Sequence, residues 1–347
     1  MPPRPEDPHP RDSGATSMSS GGPIASDDGS PTSATPARGS VHLGNNVFAV
    51  DTRMSGYDGI TSAYLIRGSR PCLVETGTAT SAPVVRDALS DLGVGADDLA
   101  TIVVTHIHLD HAGGVGTLAA AYPNADVVVH ERGARHLIDP DRLMGSARRV
   151  FGRVLDDVFG VLLPTDAARV KTLGDVGVVD LGDGRSLQSF YAPGHAQHHV
   201  GLVDSETGDL YVGDAAGVYI PETAEMRPST PPPDFDLYLA LATIDRFRAV
   251  APKRLLFSHF GPVTEVSESL GRAEEELLLW VELVKESRAQ GLDTDHAIQR
   301  VVEKTADRYA QYVGRQDVRE KFEHLNSTAA NITGINRWLD QVESEPA

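Results

Sequence analysis

Cysteine is almost missing. Cys72 is the single one in 347 residues, so no disulfide can form within the chain. It stands between Pro71 and the apolar Leu73-Val74, with no base beside it, and reads as a small buried core residue rather than a catalytic thiol. Long apolar runs are missing too. None approaches the roughly 18 residues that a membrane span requires. The N-terminus lacks the apolar stretch of a secretory signal, so the expected location is cytoplasmic. No long basic run exists. Lys and Arg total 31 against 49 Asp and Glu, a formal charge of -18. Such a chain repels phosphate backbones and anionic lipid. Nucleic acid and membrane are thereby disfavoured as partners, and a small molecule is expected. No internal repeat of short period is present.

What is present is ordinary globular material, 40% apolar and 23% charged, long enough for a large buried core. Residues 1–40 are the exception. Pro, Ser and Gly dominate them, and they cannot bury enough surface to offset their ordering entropy. A disordered, dispensable tail is expected there.

From Val41 the texture changes. VHLGNNVFAVDT and TSAYLIRGSRPCLVETG read as strands joined by polar turns. Val84, Val85, Ala88 and Leu92 recur at helical spacing. Ile102-Val103-Val104 suits a strand buried on both faces, followed by a helix in VGTLAAAYP and a strand in ADVVVH. This alternation predicts layered α/β architecture. Residues 131–172 read as helical and mixed, either a cap over a pocket or an extra packed layer. Strand texture returns in SLQSFY, HHVGLVDS, GDLYVGD and KRLLFSHFG. Beyond residue 264 the chain turns helical. Core-facing stripes are expected at Leu277, Trp280, Val281 and Val284, at Ile298, Val301, Val302 and Thr305, and at Ile332, Ile335 and Leu339. The predicted organisation is therefore a tail over 1–40, a catalytic region over 41–264 and a helical region over 265–347.

The chemistry concentrates in His106-Ile107-His108-Leu109-Asp110-His111. With 13 histidines in 347 residues, an H-x-H-x-D-H pattern arises by chance roughly 0.002 times in such a chain, so the pattern carries information. In an extended segment His106 and His108 point the same way. Asp110 and His111 sit where strand turns to helix, and Gly113 and Gly114 allow a tight approach. Imidazole nitrogen and carboxylate oxygen suit zinc, and also iron or manganese. Three later residues each end a strand, where open α/β folds place ligands: His195 after SLQSFY, Asp214 after LYVG, and His259 after LLFS.

This ordered set resembles the metallo-β-lactamase superfamily over about residues 41–264. The resemblance implies a four-layer αββα sandwich. It implies one metal held by His106, His108 and His195, a second by Asp110, His111 and His259, and Asp214 bridging both. It implies a dinuclear hydrolase that uses a metal-bound hydroxide on a small ester, thioester or lactone, with two divalent ions, zinc foremost, and Asp110 shuttling a proton. A phosphodiesterase, or an iron-dependent oxygenase or oxidoreductase, is the alternative on the same fold.

Some positions depart from the family. Glu75-Thr76-Gly77 stands where many members have Asp-Thr-Gly, and Glu75 is expected to orient ligands through hydrogen bonds. The bridging residue is Asp214 rather than the Cys of many true β-lactamases, which disfavours antibiotic hydrolysis. Acyl-homoserine lactonases often carry Tyr three residues after that Asp, where this chain has Gly217. Hydroxyacylglutathione hydrolases usually continue Asp-Thr-Leu-Phe, where this chain has Asp214-Ala215-Ala216-Gly217. Neither substrate is assigned. His198 and His199 are assigned to a place behind the ligands or to structure alone. Tyr57, in the loop Met54–Ile60 where the family has a mobile substrate loop, is a candidate substrate contact.

Overall fold

Successive side chains of a strand point to opposite faces, and many strands here are apolar on both. That pattern demands a layer on each side of a sheet. The computed structural model describes residues 39–221, 225–308, 321, 323 and 326–344. All but two residues of the expected tail lie outside them, and Ser40, the last, already begins a strand.

Two sheets stack face to face. The first runs β1 (Ser40–Gly44), β2 (Val47–Asp51), β3 (Ser62–Ile66), β4 (Cys72–Val74), β5 (Thr101–Val103), β6 (Asp126–His130) and β7 (Val170–Leu173) in spatial order. Its first four strands are antiparallel and its last four parallel. Parallel neighbours need crossovers, supplied by α1 (Ala82–Asp91), by α2 (Leu109–Ala112) with α3 (Val115–Ala121), and by α4 (Glu131–Ile138) with α5 (Asp141–Phe151).

The second sheet uses β8 (Val176–Asp180), β9 (Ser186–Tyr191), β10 (Val200–Asp204) and β11 (Asp209–Gly213). After the hairpin β12 (Val218–Ile220) and β13 (Glu225–Arg227) comes α6 (Leu237–Val250), then β14 (Arg254–Phe257) and β15 (Gly261–Val263). Spatial order is β15-β14-β11-β10-β9-β8. Three helices follow: α7 (Val266–Ala289), α8 (Thr294–Lys304) and α9 (Thr328–Ser344).

Alternation sorts the core into three layers. Tyr64, Ile66, Val103, Val128, Leu202 and Tyr211 fill the space between the sheets, with Cys72 among them. Their neighbours Leu65, Ile102, Val127 and Val129 face outward onto α1, α3 and α4. Leu210, Val212 and Phe257 face the other way, onto Ile244 of α6, Trp280 of α7 and Trp338 of α9. Each such side chain, fully buried, contributes about 1.5–3 kcal/mol of transfer free energy. The result is an αββα sandwich with a C-terminal helical extension, as the resemblance implies.

Some elements escaped sequence reading for physical reasons. β8 is an edge strand with Val176 and Val178 turned to solvent, so its apolar residues do not alternate inward. Tyr238 and Leu239 expose apolar surface on α6 and blur its period; an Asp236 cap accepting from Leu239 N–H at 2.9 Å is its clearer start signal. On α8, Val301 is buried but Val302 is 40% exposed, because adjacent residues sit about 100° apart on a helix. Residues 131–172 end in strand β7 rather than remaining helical. Their inward side chains, Leu137, Ala147 and Leu155, join the outer layer of the first sheet. Among the described residues, no helix is long and apolar enough to cross a membrane.

Candidate metal centre

Strand direction gathers the candidate residues at one edge. β4 and β5 are parallel, so Glu75 and the His106–His111 segment leave the first sheet side by side. β14 runs parallel to β11, and β9 shares their direction because two antiparallel steps separate it from β11. His195, Asp214 and His259 therefore leave the second sheet at one edge too. The chain turns from β5 into α2 through His108, which keeps extended backbone, so the first turn of that short helix presents Asp110 and His111. Gly113 makes this tight: a Cβ there would lie 2.9 Å from Ala79 N.

Two groups of ligand-type atoms form, each spanning no more than 4.8 Å: His106, His108 and His195, and Asp110, His111 and His259. In the first, Nδ1 of His108 lies 3.1 Å from Nε2 of His106 and 2.9 Å from Nε2 of His195. In the second, Nε2 of His259 lies 3.1 Å from Nε2 of His111, and Asp110 Oδ2 is 3.3 Å and 3.5 Å from those two nitrogens. Asp214 stands between the groups. Its Oδ1 lies 3.3 Å from His111 Nε2 and 3.4 Å from His259 Nε2, and its Oδ2 lies 3.7 Å from His195 Nε2.

The outer nitrogens decide what the inner ones carry. Nδ1 of His195 donates to the Ser229 carbonyl at 3.0 Å, and Nδ1 of His259 to the Ile60 carbonyl at 3.0 Å. The Thr105 hydroxyl donates its one hydrogen to Glu75 Oε1 at 2.5 Å, so Nδ1 of His106, 3.0 Å away, is the donor to Thr105. Neutral rings with Nδ1 protonated leave Nε2 as a bare lone pair. Bare lone pairs of His106 and His195 thus converge on Nδ1 of His108, where a single proton cannot satisfy both. Buried Asp214 Oδ1 has no hydrogen-bond partner. A cation at each group resolves these conflicts, so the residues fit metal ions.

Electrostatics agree. Burial drives His106 well below the usual histidine range, lowers His108, and brings His195 to about 4, so these rings are neutral. Burial opposes ionisation of Asp110, but His111 and His259 hold its carboxyl well below the usual range. Asp214 is likewise lowered, against its burial, by His259, His111 and His195. Burial disfavours charge on His111 too, yet Asp110 and Asp214 push it up to about 10. Neutral imidazoles beside ionised carboxylates are the protonation states that metal binding requires; His111, held cationic by Asp110 and Asp214, would give up its proton to an ion bound there.

A third group, Glu75, His106 and His111, is equally compact but otherwise engaged. Glu75 Oε1 accepts from Thr105 N–H at 3.2 Å and from the Ser258 hydroxyl at 3.3 Å, as well as from the Thr105 hydroxyl. It works behind the centre, holding His106 through Thr105.

His199 and His198 pack behind the centre as well. His199 stacks on His106 with centroids 4.8 Å apart, and its Nε2 accepts from Asp214 N–H at 3.2 Å. Nδ1 of His198 accepts from Ile107 N–H at 3.3 Å. Tyr57 is half-buried at the end of the turn Met54–Gly56, which lies against the turn Leu155–Phe159. Its loop is tied to the centre through the Ile60 carbonyl. Sequence reading missed Thr105, Ser258 and Ser229. A hydroxyl next to a ligand histidine is a faint signal for the first two, and nothing local marks Ser229.

A profile of the metallo-beta-lactamase superfamily matches residues 56–259. A metallo-beta-lactamase fold-containing protein of Sulfurisphaera tokodaii is 32% identical over 172 residues, 48% of this chain and 63% of the relative. An N-acyl homoserine lactonase of Bacillus thuringiensis is 27% identical over 182 residues, 52% of this chain and 62% of the relative. The chain thus spans less than two thirds of the length of these two curated relatives. Among solved structures, an archaeal metallo-beta-lactamase superfamily protein from Sulfolobus tokodaii superposes with TM-score 0.56 and 25% identity, over 68% of this chain and 86% of that one. A metallo-beta-lactamase family protein from Thermus thermophilus gives TM-score 0.57 at 22% identity over 82% and 89%, a likeness of fold.

Proposed function

The chain belongs to the metallo-beta-lactamase superfamily, and from that membership we propose a dinuclear metal-dependent hydrolase of a small ester, thioester or lactone. The observation that carries this reading is the gathering of imidazole nitrogens into two adjoining groups, those of His106 and His195 bare, with a carboxylate oxygen that makes no hydrogen bond between the groups. His106, His108 and His195 would hold one ion, Asp110, His111 and His259 the other, and Asp214 would touch both. Zinc fits the donor set, with iron or manganese as alternatives. Bound there, the ions would supply Lewis acidity and make water a nucleophile at neutral pH.

The chain's own residues do the rest. Thr105, Ser229 and the Ile60 carbonyl hold three imidazoles in the tautomer that aims Nε2 inward. Asp110 is the proton shuttle: its side chain is 17% exposed, against 6% for Asp214 and 1% for Glu75, so it is the site carboxylate a substrate can reach. Tyr57 is the proposed substrate contact. We assign this chemistry to residues 41–264 and a cytoplasmic setting to the chain.

The lactonase relative supports a lactone among the substrates. The acidic balance of the chain favours a small substrate over a nucleic acid. The test is a panel of ester, thioester, lactone and phosphodiester substrates, run beside an oxygen electrode. Chelator-sensitive hydrolysis of a carbonyl substrate is expected. Metal-dependent oxygen uptake, or activity confined to phosphodiesters, would overturn the reaction class.

A further inference from the structure

Ser229 holds two of the proposed ligands at once. Its carbonyl accepts from Nδ1 of His195 at 3.0 Å, and its hydroxyl donates to Asp214 Oδ2 at 3.2 Å. Yet Ser229 lies beyond the end of β13, in an irregular stretch with no strand ladder of its own. The far end of the chain fixes it instead. Thr230 N–H donates to Asn331 Oδ1 at 2.6 Å, and the Thr230 hydroxyl to the Asn331 carbonyl at 3.1 Å. Asn326 Nδ2 donates to the Pro228 carbonyl at 2.9 Å, and Asn331 Nδ2 donates to Asn326 Oδ1. Thr230, Asn326 and Asn331 are all buried. One helical turn on, Gly334 presses against the same loop: a Cβ there would lie 1.8 Å from the Thr230 carbonyl oxygen.

Docking a helix needs only an apolar stripe, which α9 already has in Ile332, Ile335, Trp338 and Leu339. The buried amides add something different. A satisfied buried polar network fixes one geometry of the groups it joins. The geometry fixed here is that of residues 228–230.

We propose that α9 is a working part of the metal site: Asn331 and Asn326 fix the Ser229 loop, and Ser229 orients His195 and Asp214. This rests on the metal-centre reading above. Asn331 is a positioning residue, acting through Ser229, and the C-terminal helical region contributes to metal affinity without supplying a ligand. Hydrogen-bond partners behind a ligating histidine typically set affinity by 10–100-fold.

Cobalt(II) is the probe, because its visible absorption reports the ligand field at each ion. The full-length chain, stripped of metal, is titrated as wild type, Asn331→Ala, Ser229→Ala and Asn336→Ala. Asn336 lies on the same helix, and its side-chain Oδ1, which alanine removes, accepts from Arg288 at 3.5 Å. It therefore controls for loosened helix packing. Asn331→Ala and Ser229→Ala should each weaken one ion by about tenfold or more and alter its absorption band. Asn336→Ala should lower thermal stability alone. If Asn331→Ala does not fold, Asn326→Ala, which frees the Pro228 carbonyl from the same network, decides. Wild-type affinity and spectrum in the folded variants, or an equal loss in Asn336→Ala, overturn the inference while leaving the metal centre standing. A wild-type chain that takes up no cobalt removes the metal-centre reading and this inference with it.

Discussion

The two arms of the candidate centre are built differently. Four of its seven residues lie within His106–His111, and their backing, Thr105 and Glu75, comes from the same or the adjacent strand end. The other three, His195, Asp214 and His259, leave three separate strands of the second sheet, and their support traces back to distant parts of the chain. His259 leans on Ile60, 199 residues distant, and the Ser229 loop beneath His195 and Asp214 leans on Asn331, 101 residues from Thr230. A motif that carries its own scaffold tolerates change elsewhere. An arm assembled from strand ends inherits the sensitivity of everything that holds it.

The largest expected effect breaks both arms alike. His106→Ala and His195→Ala should each drop hydrolysis below detection and cut the metal retained after dialysis. An active His195→Ala protein would mean that the second arm is not part of the centre. Next comes Asp110→Asn, which keeps the fold but cannot take a proton. It should lower kcat by about 10²–10⁴-fold. Full activity in that variant would remove Asp110 from the chemistry and leave the ligand geometry intact.

The comparison sharpens with the supports. Glu75→Gln changes the acceptor behind Thr105 and His106 and should weaken metal binding by about tenfold. Its effect should fall on the ion assigned to His106, and circular dichroism should show the fold retained. If Glu75→Gln binds metal as the wild type does, the first arm needs only its motif. The smallest effect is expected from deleting residues 1–38. Their composition cannot build a core, so unfolding free energy should change by less than about 0.5 kcal/mol. A clear loss of stability would mean that this segment docks on the body.

The same contrast explains what sequence could tell. H-x-H-x-D-H is readable because local geometry alone brings its side chains together. His195, Asp214 and His259 were readable as strand-terminal residues, once their order suggested the family. Ser229 was not readable: one serine in a Pro-rich loop gains its meaning from partners brought there by folding. The layers were legible where both strand faces are apolar, as in Ile102-Val103-Val104. They were not legible at β8, where only Val179 is fully buried, or in α6, whose apolar residues extend onto the solvent side. Local pattern reports a fold where one face is buried along a whole element, and falls silent where burial is decided by neighbours.

The central claim is that both arms together hold two ions. Elemental analysis of the purified chain, with a chelator-treated control, tests it most directly. The account predicts about two divalent ions per chain in the wild type and about one in His259→Ala. Saturation of the wild type at a single ion, or an undiminished pair in His259→Ala, would contradict it.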